Sequence, residues 1–418
     1  LNTRDVYNGE IDTYLYNSSS LIVINAGEDS SFVHGNTLNN FGTYWPNNMQ
    51  AFRYEGNNYL EFNSNQVIQR EFNNINGETG RYVFYAQSNG SETSKIIMKE
   101  NHFDVKSRKE AIYIEGIKNG LIENNYVLST NSEADAITVS NSNLDVKSNL
   151  ITSVNGYAFG AYGSDIDFSN NTLVSSNNGM FINNQSVGSI QQNTIVAVDG
   201  AIGVRQENNT NIPIQNNIVQ GFSEGVKIDN SIQNYAVNNN LFWDVENMFT
   251  GSAIAPLAGQ LIDENSNGVV SDIYSNIYQD PSFVDLDSGN YSLLPNSVAI
   301  NAGDASLVDP DGTISDIGAN YYHIYVVVGH EALLNTDVVD LPYRMNATLS
   351  SPSGSDLSGS VFYRVNGGVY TEIALEEDGD IEDGYYADIP AQDLNSVVDY
   401  YISATDGVNL TTCLLYTS

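Results

Sequence analysis

The chain has 418 residues, with 15 Lys and Arg against 51 Asp and Glu, for a formal net charge of −36. Such a field repels phosphate backbones and anionic lipid, which argues against nucleic-acid and membrane-surface partners. Hydrophobic residues make up 41%, too many for a disordered chain, and the single cysteine, Cys413, excludes an intrachain disulfide. No apolar run is long enough to span a bilayer. The sequence opens on Leu1-Asn2-Thr3 with neither an initiator Met nor a signal peptide, so it reads as a fragment or mature segment.

The first organised feature is a repeat. Asn36, Asn65, Asn101, Asn125, Asn149, Asn171, Asn193, Asn217, Asn240 and Asn276 each follow an apolar residue by three positions and precede another by two. From Asn101 to Asn240 the spacing is 24, 24, 22, 22, 24 and 23 residues. Paired-helix repeats need more than about 30 residues, so this period is not helical. Within each unit the apolar residues alternate, as in Leu144-Asp145-Val146 and Ile166-Asp167-Phe168, which marks strands with one buried face. Three short strands per turn, stacked in parallel, predict an all-β solenoid. The asparagine is expected to take the left-handed angles of a sharp corner and to stack its amide on those above and below. A lone buried amide is costly, whereas a file satisfies itself, so these residues read as scaffold rather than ligands.

A second strand lies 12 or 13 residues before each asparagine, and its outward positions carry the candidate chemistry. One expected column runs Arg53, Tyr113, Thr138, Gly160, Ile182, Gly203, Lys227. The other runs Glu55, Glu115, Ser140, Tyr162, Asn184, Arg205, Asp229. Arg53 and Glu55 should lie two coils, about 10 Å, from Tyr113 and Glu115. That is just beyond the separation of paired carboxylates in an inverting glycosidase, and Arg53 or Lys227 is the alternative, a lyase base. Arg53, Glu55 and Glu115 are therefore the candidate catalytic residues, against a bland reading as sparse charges on a solvated wall. Tyr44 and Trp45, in a loop before the Arg53 strand, join Tyr113, Tyr162 and Arg205 as candidate sugar-binding residues, since aromatic rings stack on sugar faces. Packing of the loop rings on the solenoid flank is the competing reading.

Residues 249–261 fall in a long interval and read as an excursion from the wall. The segment 280–322 follows as an expected cap over the open core. Within it Asp304, Asp309, Asp311 and Asp316 offer hard oxygen ligands for calcium, or Asx turns without a metal. His34, His102, His323 and His330 have no zinc spacing. Beyond 323, strand-like runs such as Val361–Val365 and Val397–Ile402, divided by turn clusters, predict a small β-sandwich over 323–412. The last six residues, 413–418, resemble the translated transposon end of a sequencing library and are set aside.

The asparagine repeat resembles the right-handed parallel β-helix proteins of the pectate-lyase-like superfamily. Asp280-Pro281-Ser282-Phe283, Ala299-Ile300-Asn301-Ala302-Gly303-Asp304 and Asp316-Ile317-Gly318-Ala319 resemble the closing segment of secreted bacterial β-helix proteins, and the two likenesses span roughly residues 9 to 322. Tyr400-Tyr401-Ile402-Ser403-Ala404-Thr405-Asp406 resembles the last strands of fibronectin-type or immunoglobulin-like modules. The resemblance implies an extracellular or cell-surface monomer that binds or processes polysaccharide along its groove, by lyase or glycoside hydrolase chemistry where it is an enzyme. The alternative is a non-catalytic surface or adhesion protein with the solenoid as a rigid stalk.

Overall fold

The computed structural model describes residues 10–12, 20–26, 30–40, 50–69, 82–106, 109–130, 134–210, 212–229, 236–265, 267–310, 313–322, 326–351, 357–379, 381, 383–406, 410–412 and 416–417. Among them there is no helix, and hence none long and apolar enough to cross a membrane. The chain forms two compact units. The first is Leu1–Leu293, Ser297–Leu307 and Ile314–Tyr321; the second is Leu294–Asn296, Val308–Thr313 and Tyr322–Ser418.

The first unit is a parallel β-solenoid with three strands per coil. One coil shows the plan: Asn119–Glu123 lies in the first column, Tyr126–Thr130 in the second and Ile137–Ser140 in the third. The next coil repeats it with Asn143–Lys147, Leu150–Ser153 and Tyr157–Tyr162, each paired in parallel with its predecessor. The first column is a nine-stranded sheet. The second and third merge into one because Thr194–Glu207 and Ile218–Asp229 run unbroken from one to the other.

Alternation puts apolar files from each column into the interior. Phe62, Met98, Ile122, Val146, Phe168 and Ile190 align in the first column. Val67, Phe103, Val127, Ile151 and Leu173 do so in the second, and Phe52, Phe84, Ile112, Ile137 and Phe159 in the third. All are at most 1% exposed, so each contributes on the order of 1.5–3 kcal/mol against its exposed state. The pattern breaks at the last repeat: Ile273 is 43% exposed, and Tyr278 instead stacks on Phe242 at the end of the core.

The corner between first and second columns carries the amide file. Asn125, Asn149, Asn171, Asn193, Asn217 and Asn240 are buried, and each side-chain amide donates to the next Oδ1 at 2.9 to 3.2 Å. The same Oδ1 accepts the preceding asparagine's backbone N–H at 2.9 Å. The other amide hydrogen reaches back to a carbonyl of the previous coil, such as Met98 O from Asn125. One expectation is corrected here. The left-handed residue is the one before each ladder asparagine, as at Ser64, Glu100, Asn124, Ser148, Asn170 and Gln192. The ladder residue has already left the turn, which is what lets its amide point inward along the axis. A smaller file at another corner links Ser142, Ser164 and Ser186, each backbone N–H of the first two donating to the next Oγ at 3.2 and 3.1 Å.

The segment expected to cap the core lies elsewhere. Asp304 N and Gly318 N donate to Asn216 Oδ1 and O, both at 2.9 Å, and Ala319 N donates to Thr194 Oγ1 at 3.0 Å. Those acceptors are on the asparagine corner, and Ser288–Tyr291 lie across a cleft from Asn149 and Asn170 on the same side. These first-unit residues of the segment therefore lie along the flank, where corner groups supply hydrogen bonds.

The second unit is a small antiparallel β-sandwich. One sheet pairs Val327–His330, Tyr343–Ser350 and Gly384–Ile389, with Glu376–Glu377 at its edge. The other pairs Ser358–Val365 with Thr371–Ala374 and Val398–Thr405, and Leu410–Thr412 and Tyr416–Thr417 add to the last strand. Met345, Val361, Ile389, Tyr400 and Ile402 form its core.

Candidate functional site

The outer face of the third column gathers most of the candidate residues. Parallel register aligns Arg53, Tyr85, Tyr113, Thr138, Gly160, Phe181, Arg205 and Lys227 in one file. Beside it run Glu55, Gln87, Glu115, Ser140, Tyr162 and Asn183. This corrects the expected columns at their C-terminal end. Ile182 is inward and buried, Phe181 takes its place, and Arg205 belongs to the file of Arg53 rather than that of Glu55. Turns of unequal length shift the register, by one residue at Phe181, which turns a side chain to the other face, and by two at Arg205, which keeps the face and changes the file.

Arg53 and Glu55 form an ion pair, with Nε 3.0 Å from Oε1. The Arg53 guanidinium also lies 5.9 Å from the centre of the Tyr85 ring. Glu115 lies two strands from Glu55, with Gln87 between them. Tyr85 donates to Gln87 at 2.6 Å, and the Gln87 amide reaches Glu115 at 3.4 Å. The candidate catalytic trio thus shares one face but splits into an ion pair and a separate hydrogen-bonded chain.

Three tyrosines stack across these coils. Tyr82 lies 4.2 Å from Tyr113 and 5.5 Å from Tyr85, and Tyr85 and Tyr113 are 5.8 Å apart at 10°. Burial, and then the nearby Glu110 and Glu115 charges respectively, push the Tyr82 and Tyr85 phenols up to about 12. Both remain hydrogen-bond donors across the ordinary pH range.

Sequence reasoning missed Glu110 and Asp135. They occupy the turn just before the third column, in adjacent coils, with Tyr82 one coil before and Tyr157 one coil after. Asp135 Oδ1 accepts Tyr157 N at 3.2 Å, and Oδ2 accepts the Tyr162 hydroxyl at 3.2 Å and the Thr138 hydroxyl at 3.3 Å. Gly160 makes room for this carboxyl, because a Cβ there would lie 2.2 Å from Oδ2. Burial raises the pKa of Asp135 despite those donors. It raises Glu110 as well, whose Oε2 is buried without a hydrogen-bond partner. The available signal was an acid immediately before Ala-Ile in two successive repeats, Glu110-Ala111-Ile112 and Asp135-Ala136-Ile137.

Farther along, Arg205 pairs with Glu207 and lies 5.4 Å from the Phe181 ring, which stacks on Tyr157 at 5.2 Å. Tyr162 meets the same Phe181 edge-on at 5.7 Å. Lys227 pairs with Glu224 at 3.2 Å. Tyr44 and Trp45 lie outside the described residues.

The four candidate calcium ligands are placed as follows. Asp304 accepts Ser306 N at 2.8 Å, an Asx turn, and bonds the Gln215 amide. Asp316 accepts Asn301 N at 2.7 Å, Asp309 is buried, and Asp311 lies outside the described residues. Among the described residues no three His, Cys, Asp or Glu side chains come together to hold a metal ion. No protein-family model matches the chain, and no curated protein matches it.

Proposed function

We propose that the outer face of the third column binds a polysaccharide lying along the solenoid axis. We further propose that the chain is an extracellular member of the pectate-lyase-like superfamily and that its sandwich is an immunoglobulin-like spacer. The observation that carries the binding reading is the Tyr82, Tyr85 and Tyr113 stack beside Gln87 and Glu115. Strands rise by about 4.8 Å per coil, close to the length of one pyranose unit, so each coil presents a row of phenol, amide and carboxyl groups to successive sugars. A rigid file of this kind costs little ordering entropy on binding.

The test is titration of the chain against a panel of soluble polysaccharides, with Tyr85→Ala/Tyr113→Ala alongside. Binding to at least one polymer, weakened about tenfold or more in the double variant, is expected. Absence of binding across the panel, or equal affinity in the variant, overturns the reading.

A second reading, glycoside hydrolysis, is favoured by Glu110 and Asp135. Their backbones are one strand spacing apart, on the order of the roughly 5 Å that separates the paired carboxyls of retaining enzymes. A carboxyl whose pKa is raised by burial is the kind of group that donates to a leaving oxygen. Release of new reducing ends, abolished by Asp135→Asn, is the expected result; turnover unaffected by that substitution removes this assignment.

A further inference from the structure

Resting on the reading that this face binds polysaccharide, we infer that its ligand is an uncharged polysaccharide and that the face rejects uronate- and sulfate-bearing chains. A polyanionic glycan is recognised by cations whose charge is free to meet it, above all by arginine forks that grip carboxylate or sulfate. The strands of the third column contain three cations, Arg53, Arg205 and Lys227. Each is already held by an acid of its own strand: Glu55, Glu207 and Glu224. The Arg205 guanidinium is also covered by the Phe181 ring.

Among the described residues the remaining charge on these strands is acidic. Glu115 accepts only an amide from Gln87 among the contacts above, and Asp229 Oδ1 accepts Ser252 N at 3.3 Å. Glu110 and Asp135 line the adjoining turn, where among the described residues Lys109 opposes the Glu110 charge. A uronate carboxyl entering here meets like charge and breaks an existing ion pair to find a partner. Sugar hydroxyls meet no such barrier. The phenols of Tyr82, Tyr85 and Tyr113 and the amide of Gln87 both donate and accept, which matches the hydroxyl chemistry of neutral hexose and pentose polymers. The chain's net charge of −36 adds a long-range field of the same sign against polyanions.

The experiment compares the intact chain against neutral polymers (glucan, mannan, xylan, arabinan), polygalacturonate, a sulfated polysaccharide and cationic chitosan, between about 0.02 and about 0.5 M NaCl. The expected result is binding to a neutral polymer with affinity constant within about twofold across that range, and polyanions weaker by about tenfold or more. Glu55→Gln, which releases Arg53, is expected to raise polygalacturonate affinity several-fold at low salt. Tightest binding to polygalacturonate, the sulfated polymer or chitosan, with affinity falling as salt rises, overturns the inference while leaving the binding face in place. Failure of Glu55→Gln to raise polygalacturonate binding overturns the ion-pair argument. Absence of binding to every polymer overturns the binding-face reading itself.

Discussion

Asp272 terminates the amide file: its Oδ1 accepts the backbone N–H of Asn276 at 3.0 Å and the Asn276 side-chain amide at 3.2 Å. The carboxylate does at the end of the solenoid what the next asparagine does inside it. It also accepts Tyr274 N at 2.9 Å, Gly259 N at 2.9 Å and the Tyr278 hydroxyl at 2.7 Å, which ties the excursion after Trp243 to the last coil. Burial, and then the Asp272 carboxylate, raise the Tyr278 phenol far above its usual value, so that hydroxyl is a permanent donor.

Removing the terminator strands several buried donors at once. Asp272→Ala is expected to destabilise the solenoid by about 3–5 kcal/mol, with Asp272→Asn milder because one acceptor oxygen survives. Hydrogen exchange reads it: amides of 241–278 lose protection first in the alanine variant. Protection unchanged there, with loss spread evenly over the coils, would refute the terminator role.

The file has a direction, and its two ends should respond differently. Asn171 Oδ1 accepts both the backbone and side-chain N–H groups of Asn149, at 2.9 Å each, whereas Asn36 Oδ1 is buried with no partner. Asn171→Ala therefore strands the buried Asn149 backbone N–H, while the Asn149 amide keeps Ile122 O and Lys147 O, and is expected to cost about 2–4 kcal/mol. Asn36→Ala leaves none and is expected to cost about 1–2 kcal/mol. Denaturant melts of the two variants decide it, and equal losses would show that corner packing outweighs the hydrogen bonds.

At the corners the left-handed residue is an ordinary L-amino acid under mild strain. Gln192, at φ 53°, is expected to gain about 0.5–1 kcal/mol on Gln192→Gly, while Ser148→Val, at φ 56°, loses at least about 1 kcal/mol. Thermal melts give both signs. A loss for Gln192→Gly means the unfolded-state entropy of glycine exceeds the relieved strain.

Asp135 makes the pH profile informative. Its folded pKa is raised by burial, so the fold binds the proton more tightly than the unfolded chain does. The sign follows: this group's contribution is fully present below the unfolded value near about 4 and is lost as pH rises through the folded value. Asp135→Asn is expected to be more favourable to stability at pH 7 than at pH 4, measured by calorimetry at both. A pH-independent difference contradicts the raised pKa. Gly160→Ala, which drives a Cβ into this carboxyl, is expected to cost about 1–3 kcal/mol, and less in the Asp135→Ala background.

The sequence was most legible where one physical demand repeats. Phe62, Met98, Ile122 and Val146 stand three residues before an asparagine in every coil because the interior accepts only apolar side chains and the corner needs a self-satisfying amide. Tyr113, Glu115 and Tyr162 were found on the right face by the same alternation. Glu110 and Asp135 were missed because they sit in turns, where an acid reads as solvated, and only neighbouring coils bury them.

The residues alone determined the period, the apolar files, the amide ladder and the sandwich that follows, since burial and hydrogen-bond satisfaction are demands each repeat meets locally. Only the tertiary structure decided that Arg53, Arg205 and Lys227 are neutralised by Glu55, Glu207 and Glu224, that Asp272 ends the ladder, and that Asp304, Gly318 and Ala319 bond the asparagine corner. Those outcomes depend on turn lengths that differ from coil to coil, and a shift of one residue reverses which side chains meet.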